Sequence, residues 1–501
     1  MIENQPIPHL GDYINGEFIK ASRPSGEQEN FSPALLSESV FQFSFQEKHV
    51  DDAVEAAQSA FREWSGLTIE ARMEALKKVR DIMGSKQEQF ATAIARETGK
   101  PLWEANTEAK ALVGKFNVTF EHSLKLIEEV KVEAALPGVD GFIRYKPRGV
   151  FAVLGPFNFP GHLPNGHIVP ALVTGNTVVF KPSELTPATG QLMAQCYHEA
   201  GIPAGVFNLV QGSGAVGKRL VSHKKIDGIL FTGSYETGLK IKESTIADYW
   251  KILALEMGGK NSTIVWDDAD LDKAVYESLI GGFLSAGQRC SCTSRIFIHK
   301  KNAAEFTEKF YRRAKKLTIG HWSENPFMGP LISSKSLDTY IRFQDIAVRE
   351  GCDKIMRGKS LEGKHKGHYV TPSIYKVNQY QEDSTYQNTE IFGPNVALYE
   401  IDDLEEAVQI TNDSGYGLSM AIFTAQESNY KKVLQNAKVG LLNWNRTTNG
   451  ASSRLPFGGC GKSGNDRPSA HFAVYYCTVP IASLEDSTKF DESKVLPGMN
   501  W

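Results

Sequence analysis

Cys290 lies in the segment Phe283-Leu-Ser-Ala-Gly-Gln-Arg-Cys, where a helical stretch gives way to a loop. A free cysteine is most often a small buried hydrophobe, and its thiolate form is the nucleophile. Cys290 differs from that default by its boundary position among Gly287, Gln288 and Arg289. A loop can hold the thiol accessible, and the adjacent guanidinium is expected to lower its pKa from about 8.5. Cys196 and Cys352 have no such setting and read as structural. A thiol that forms an acyl intermediate needs an oxyanion donor and a base for water. Glu256, in Leu-Glu-Met-Gly-Gly-Lys260, closes an apolar strand before a glycine pair, where a carboxylate can act as a base in a cleft. Taken alone, the same glutamate reads more readily as a helix cap or a surface charge. Asn158, in Gly-Pro-Phe-Asn-Phe-Pro160, is either a turn residue or an amide donor to an oxyanion.

Three glycine patterns bear on anion binding. Gly461-Lys462-Ser463 imitates the end of a P-loop, but position 456 is Pro where that loop needs Gly. Gly212-x-Gly214-x-x-Gly217 follows a strand and opens a helix, although Asp227 comes too early for the acidic partner expected about 20 residues on. It is a dinucleotide loop or simply a tight turn. In Phe231-Thr-Gly-Ser-Tyr-Glu-Thr-Gly238, Gly233 and Ser234 would place donors at a helix N-terminus, a ready anion site.

The elements around these residues alternate. Helical spacing runs from about 50 to 130, through Val54, Ala57, Phe61, Trp64, Leu76 and Val79. Short apolar runs follow at 150–154, 177–180, 207–210, 229–231 and 252–255, with helices at about 187–200, 215–223 and 236–247 between them. A second alternating region, about 262–445, has strand candidates at 295–299, 395–399, 420–423 and 440–443. Its helix candidates are 270–285, 302–317, 333–349 and 404–412. Strand and helix in alternation argue for parallel sheets covered on both faces, hence two α/β lobes. The segments 138–148 and 473–479 fit neither lobe and read as strands that pair elsewhere, for instance across a subunit interface.

Composition narrows the classes. The 501 residues carry 55 Lys+Arg against 58 Asp+Glu, a balance without the basic footprint of a nucleic-acid binder. Hydrophobic residues at 41% and charged residues at 23% are ordinary for a globular chain. Six cysteines in this length do not make a disulfide scaffold, and the Cys290-x-Cys292 pair lacks the further ligands of a zinc site. The N-terminus shows no secretory pattern and no apolar run of about 18 residues occurs, so a reducing cytoplasm is expected.

Taken together and in order, GPFNFP (155–160), FKPSE (180–184), FTGSYETG (231–238), LEMGGK (255–260), GQRC (287–290), EIFGP (390–394), NDSGYGLS (412–419) and PFGGCGKSG (456–464) resemble the aldehyde dehydrogenase superfamily. The resemblance runs from about 12 to 480. It implies an NAD-binding domain (1–124 and 148–257), a catalytic domain (258–457) and a small oligomerisation flap (125–147 and 470–485). By resemblance Cys290 is the nucleophile, Asn158 and the Cys290 N–H hold the oxyanion, and Glu256 activates water. Lys181 and Glu184 match positions for the adenosine ribose. Gly233 and Ser234 match the pyrophosphate contact, followed by Tyr235, Glu236, Thr237 and Gly238. Glu390 and Phe392 match the nicotinamide side. That cofactor turn leaves Gly212–Gly217 as a neighbouring loop. A carboxylate at 184 favours NAD over NADP, and the presence of Glu256 favours hydrolysis over transfer to coenzyme A.

Longer stretches, 158–187, 286–292 and 443–477, look most like the branch that oxidises succinylglutamic semialdehyde in arginine catabolism. Such a substrate carries carboxylates that need cationic partners in a dry pocket. Arg446 and Ser453, in the loop before PFGG, are the expected anchors, while His162 and His167 read as packing or hydrogen-bonding residues. Dehydrogenation of another small semialdehyde, or a non-enzymatic structural role, are the alternatives. The flap implies a homodimer or homotetramer.

Overall fold

The computed structural model describes residues 5–465 and 467–501. Two seven-stranded sheets organise it. The first runs in the order Ile252–Glu256, Gly228–Thr232, Val150–Leu154, Thr177–Lys181, Phe207–Leu209, Asp12–Ile14 and Glu17–Ile19. Its first five strands are parallel and the last two join antiparallel. The second sheet runs Asp353–Met356, Ser373–Val377, Asn395–Ile401, Thr293–His299, Asn261–Val265, Ser419–Phe423 and Leu441–Trp444. Only its edge strand Asp353–Met356 is antiparallel.

Burial on both faces explains the near-continuous apolar runs. Within Val150–Leu154, Phe151 and Val153 pack with Leu76, Phe116 and Ile168, while Val150 and Ala152 pack with Val54, Val216 and Leu220. Each face of a parallel sheet is thus sealed by helices. The helices Pro187–Glu199, Gly214–Ser222 and Tyr235–Ser244 follow the expected periodicity, as do Leu271–Phe283, Lys300–Ala314, Ser334–Arg349 and Leu404–Asp413.

The third sheet is small. Thr478–Glu485 pairs antiparallel with Val139–Pro147, which pairs with Val130–Leu136. The expected strand at 473–479 is corrected here, because Ala473–Tyr476 is a helical turn. Ala473, Val474 and Cys477 are buried in the core of the first lobe, and that packing overrides the strand preference of Val and Tyr. Every residue of Val130–Leu136 is exposed, so this edge has no cover within the chain.

Two elements had no periodic signal. The hairpin Gly26–Ser32 with Leu35–Phe45 drives Phe41, Phe43 and Phe45 into the core of the first lobe. The strand Asn261–Val265, with the sequence NSTIV, lies inside the second sheet although it begins with three polar residues. Asn261 is satisfied there by its neighbours. Its Nδ2 donates to the carbonyls of Cys290 (2.7 Å) and Cys292 (2.9 Å), and its Oδ1 accepts from the Ser419 N–H.

Candidate active site

The parallel register of the first sheet sets its C-terminal edge. Thr232 pairs with Glu256, Leu154 with Lys181, and Phe231 with Leu154. The loops leaving these strands therefore carry Asn158, Glu184, Gly233 and Ser234 to the same edge as Lys181 and Glu256. Ligands of open α/β sheets bind there.

Cys290 reaches this edge from the second lobe on a strained turn. Ser285 (φ 56°) and Ala286 (φ 52°) are left-handed, as is Gly287 (φ 72°). A Cβ on Gly287 would lie 2.2 Å from the Gly393 carbonyl, so only glycine fits against the EIFGP loop. Left-handed non-glycine residues cost roughly 1–2 kcal/mol each. Side chains hold the turn in place. The Ser285 hydroxyl donates to Glu104, Arg289 Nε donates to Ser285 Oγ at 2.7 Å, and Arg289 Nη2 donates to Glu104 Oε1 at 2.8 Å. Asn158 Nδ2 donates to the Gln288 carbonyl at 3.0 Å. The Cys290 peptide is thus fixed from both lobes.

Arg289 does not act on Cys290 as expected. Its guanidinium turns to Glu104, and its field only partly offsets the burial that pushes the Cys292 thiol up to about 11. Burial, with the carboxyls of Glu256 and Glu390, pushes the Cys290 thiol well above its usual range. Burial also pushes Glu256 up to about 8, opposed by the Cys290 thiol beside it. Neither Glu256 oxygen meets the standard geometry of a hydrogen bond. The pair is a buried acid and a half-buried thiol in mutual contact, each held towards its neutral form by desolvation. The PFGG loop backs them. The Met257 N–H donates to the Ser463 carbonyl at 3.0 Å, and a Cβ on Gly464 would lie 2.2 Å from the Leu255 carbonyl.

The cofactor candidates are also brought together. Lys181 Nζ lies 3.6 Å from Glu184 Oε2. Gln28 and Asn30 of the unforeseen hairpin both donate to the Glu184 carbonyl at 2.8 Å. Gly217 lies against the Lys181 stem, which makes the Gly212–Gly217 segment a neighbour of this site. Ser234 caps the helix Tyr235–Ser244 by accepting from the Thr237 N–H at 3.3 Å. Glu236 and Thr237 are exposed on its first turn, and Tyr235 packs edge-on to Tyr416. A Cβ on Gly238 would lie 2.3 Å from Met257 Sδ. Phe392 (φ 54°) packs edge-on to Phe157, joining EIFGP to GPFNFP. Burial lifts Glu390 to about 7 against the Gly259 N–H that it accepts. Lys260 Nζ donates to the Thr389 carbonyl at 2.8 Å and so secures the segment before Glu390. An anion-ready helix start, with a buried ammonium beside a half-exposed carboxylate, fits a dinucleotide.

On the substrate side the two expected anchors are not in contact. Arg446 is exposed and makes no hydrogen bond or ion pair among the described residues, whereas Ser453 is half-buried and accepts from Lys115 Nζ at 2.8 Å. His167 holds the Tyr476 hydroxyl at 2.8 Å, in keeping with a packing role. Lys115 gave no signal as a motif. The trace it leaves is spacing, because Glu104, Glu108 and Lys115 share the buried face of the helix Leu102–Glu121.

Residues 18–480 match the Aldehyde dehydrogenase family. The chain belongs to that family. Its similar relatives include the N-succinylglutamate 5-semialdehyde dehydrogenases of Paraburkholderia xenovorans (strain LB400) and Legionella pneumophila (strain Corby). The first is 38% identical over 98% of this chain and 99% of the relative, the second 38% over 100% and 99%. Among solved structures, betaine aldehyde dehydrogenase from Staphylococcus aureus in complex with NAD+ superposes with a TM-score of 0.90. It has 29% identity and covers 97% of each chain. A 1-pyrroline-5-carboxylate dehydrogenase from Thermus with bound NAD has a TM-score of 0.88 at 29% identity, covering 95% of this chain and 93% of that one. The aldehyde dehydrogenase fold thus accounts for both lobes. No helix among the described residues is long and apolar enough to cross a membrane.

Proposed function

We propose that this aldehyde dehydrogenase oxidises N-succinylglutamate 5-semialdehyde to N-succinylglutamate, with NAD as its cofactor. The contact between the Cys290 thiol and the Glu256 carboxyl, inside a turn tied to Asn158, carries the mechanism. The names of the similar relatives support the substrate.

Glu256, once ionised, accepts the Cys290 proton. The thiolate then adds to the aldehyde carbon. One Asn158 N–H is committed to Gln288, and an amide has two. The second, with the Cys290 backbone N–H, holds the oxygen of the thiohemiacetal. NAD supplies the acceptor for the hydride that leaves this carbon. Loss of hydride produces a Cys290 thioester. Glu256 passes the Cys290 proton to solvent and, ionised again, takes a proton from water; the resulting hydroxide attacks the thioester carbonyl, and the acid departs as Cys290 leaves as the thiolate. Lys181 and Glu184 bind the adenosine ribose, and Glu184 repels a 2′-phosphate. Gly233 and Ser234, at the start of the turn that runs on through Tyr235, Glu236, Thr237 and Gly238, take the pyrophosphate. Glu390 and Phe392 position the nicotinamide side. Arg446 and Ser453 face the substrate carboxylates.

We divide the chain into an NAD-binding domain (1–124 and 148–257), a catalytic domain (258–457) and a flap (125–147 and 470–485). The exposed edge Val130–Leu136 supports a homodimer or homotetramer, since an uncovered strand is a template for pairing. The pathway is arginine catabolism and the compartment the cytoplasm. NADH formation with a panel of aldehydes tests the reading. A kcat/KM for the succinylated substrate at least tenfold above that for succinate semialdehyde (about 1.4 kcal/mol) supports it. A stronger activity on another aldehyde keeps the chemistry and discards the substrate. No turnover of any aldehyde with Cys290 reduced points to a structural member of the family.

A further inference from the structure

Three cations, Lys115, Lys100 and Arg289, bear on the half-buried ring of His162, at the start of the helix His162–Val173. Two of them have carboxylate partners. Lys100 Nζ meets Glu108 Oε2 at 2.8 Å, and Arg289 meets Glu104 at 2.8 Å. Lys115 is as deeply buried as these and has no carboxylate partner among the described residues. Its one hydrogen bond there is to Ser453 Oγ at 2.8 Å. An ammonium has three donors, so this one is under-used in a dry setting. An unpaired buried charge is costly, and burial alone pulls Lys115 down to about 8, which leaves it mostly protonated near neutrality.

The surroundings are shaped for this group. A Cβ on Gly166 would lie 3.3 Å from Lys115 Cε and 3.4 Å from Ser469 Oγ, so the helix passes close to the ammonium by having glycine there. His162 Nδ1 is buried without a hydrogen-bond partner. His162 packs edge-on to Phe159, and Phe159 in turn lies 5.0 Å from the guanidinium of Arg289, the residue before Cys290. The field of Lys115 thus reaches His162, and the packed rings of His162 and Phe159 lead on to the nucleophile's turn. Ser453 sits in the loop before PFGG, so helix and loop close on one spot.

We propose that Lys115, assisted by Ser453, anchors a carboxylate of the aldehyde substrate and selects acidic semialdehydes. This rests on the substrate reading above. It differs from that reading in placing the decisive cation in the buried helix and not at the exposed Arg446. A carboxylate entering here supplies the counter-ion that Lys115 lacks, and charge-assisted hydrogen bonds to a buried ammonium are the strong kind.

The test measures kcat and KM for Lys115→Met, Lys115→Arg and Ser453→Ala, each checked for folding by thermal melt. The substrates are N-succinylglutamate semialdehyde, succinate semialdehyde and hexanal. The expected result for Lys115→Met is a kcat/KM ratio of acidic to neutral aldehyde that falls about thirtyfold or more, carried by KM. Lys115→Arg recovers most of that ratio. Ser453→Ala lowers it about three- to tenfold. Equal losses on hexanal and the acidic aldehydes overturn the proposal and make Lys115 a structural tie. If Lys115→Met does not fold, an unchanged ratio in Ser453→Ala overturns it. If the wild type prefers another aldehyde to the succinylated one, the substrate reading fails separately. Lys115 is then judged on succinate semialdehyde against hexanal, where an unchanged ratio rejects it.

Discussion

The Gly259 N–H donates to Glu390 Oε1 at 2.9 Å, across 131 residues of sequence. A Cβ on the preceding Gly258 would lie 1.8 Å from the other Glu390 oxygen. The glycine pair of LEMGGK is thus the seat of the EIFGP carboxyl, and it joins the strand that carries Glu256 to the second lobe.

Gly258→Ala should displace Glu390 while leaving Cys290 in place. The expected outcome is a KM for NAD raised about tenfold or more, with thermal stability lowered by about 1–3 kcal/mol from the overpacked contact. An unchanged KM for NAD would mean that Glu390 does not serve the cofactor.

Glu256→Gln should separate the two halves of the reaction. Rapid mixing is expected to show reduced formation of the first NADH and then a stall, because the thioester lacks its base. Steady turnover at the wild-type rate would remove Glu256 from the mechanism. In the wild type, activity that needs ionised Glu256 should rise as pH passes about 8.

The same carboxyl links stability to pH. Its folded pKa of about 8 lies above its ordinary 4.5, so the folded state holds the proton more tightly. Its stabilising contribution is complete below 4.5 and is lost as pH rises through about 8. Glu256→Gln is therefore expected to gain on the wild type with rising pH, by on the order of a few kcal/mol between about pH 5 and pH 9. Melting curves across that range would show parallel profiles if the carboxyl were not raised.

Asn158→Ala removes the proposed oxyanion donor and also the tie to Gln288. A kcat lower by about 10²–10³ is expected, with NAD affinity retained. Loss of NAD affinity in step with kcat would assign Asn158 to the architecture of the turn.

Arg446→Ala should raise KM for the succinylated substrate less than Lys115→Met does. An exposed cation is screened by water and is worth about 1 kcal/mol or less. The reverse order, read from the two KM values, would return the main anchor to the loop.

Much of this was legible along the chain because local rules govern it. The strands of the first lobe, the helices between them and the glycine-marked turns follow from apolar runs, periodicity and backbone freedom. Cys290, Glu256 and Asn158 stood out as residue types at strand ends or in loops, and the motif order led to the family. Pairing across long sequence distances was not legible. Arg289 neighbours Cys290 in sequence, yet its charge goes to Glu104, since successive side chains on a tight turn diverge. The helical turn Ala473–Tyr476 replaced an expected strand because burial outweighs β preference. Lys115 and Ser453 lie 338 residues apart, and only the closing of the helix Leu102–Glu121 against the PFGG loop makes them partners. Sequence by itself determined the lobes and the types of the candidate reacting groups. Tertiary structure decided which charges are buried, which are paired and which one has no carboxylate partner among the described residues, because desolvation depends on everything packed around a group and not on its neighbours in the chain.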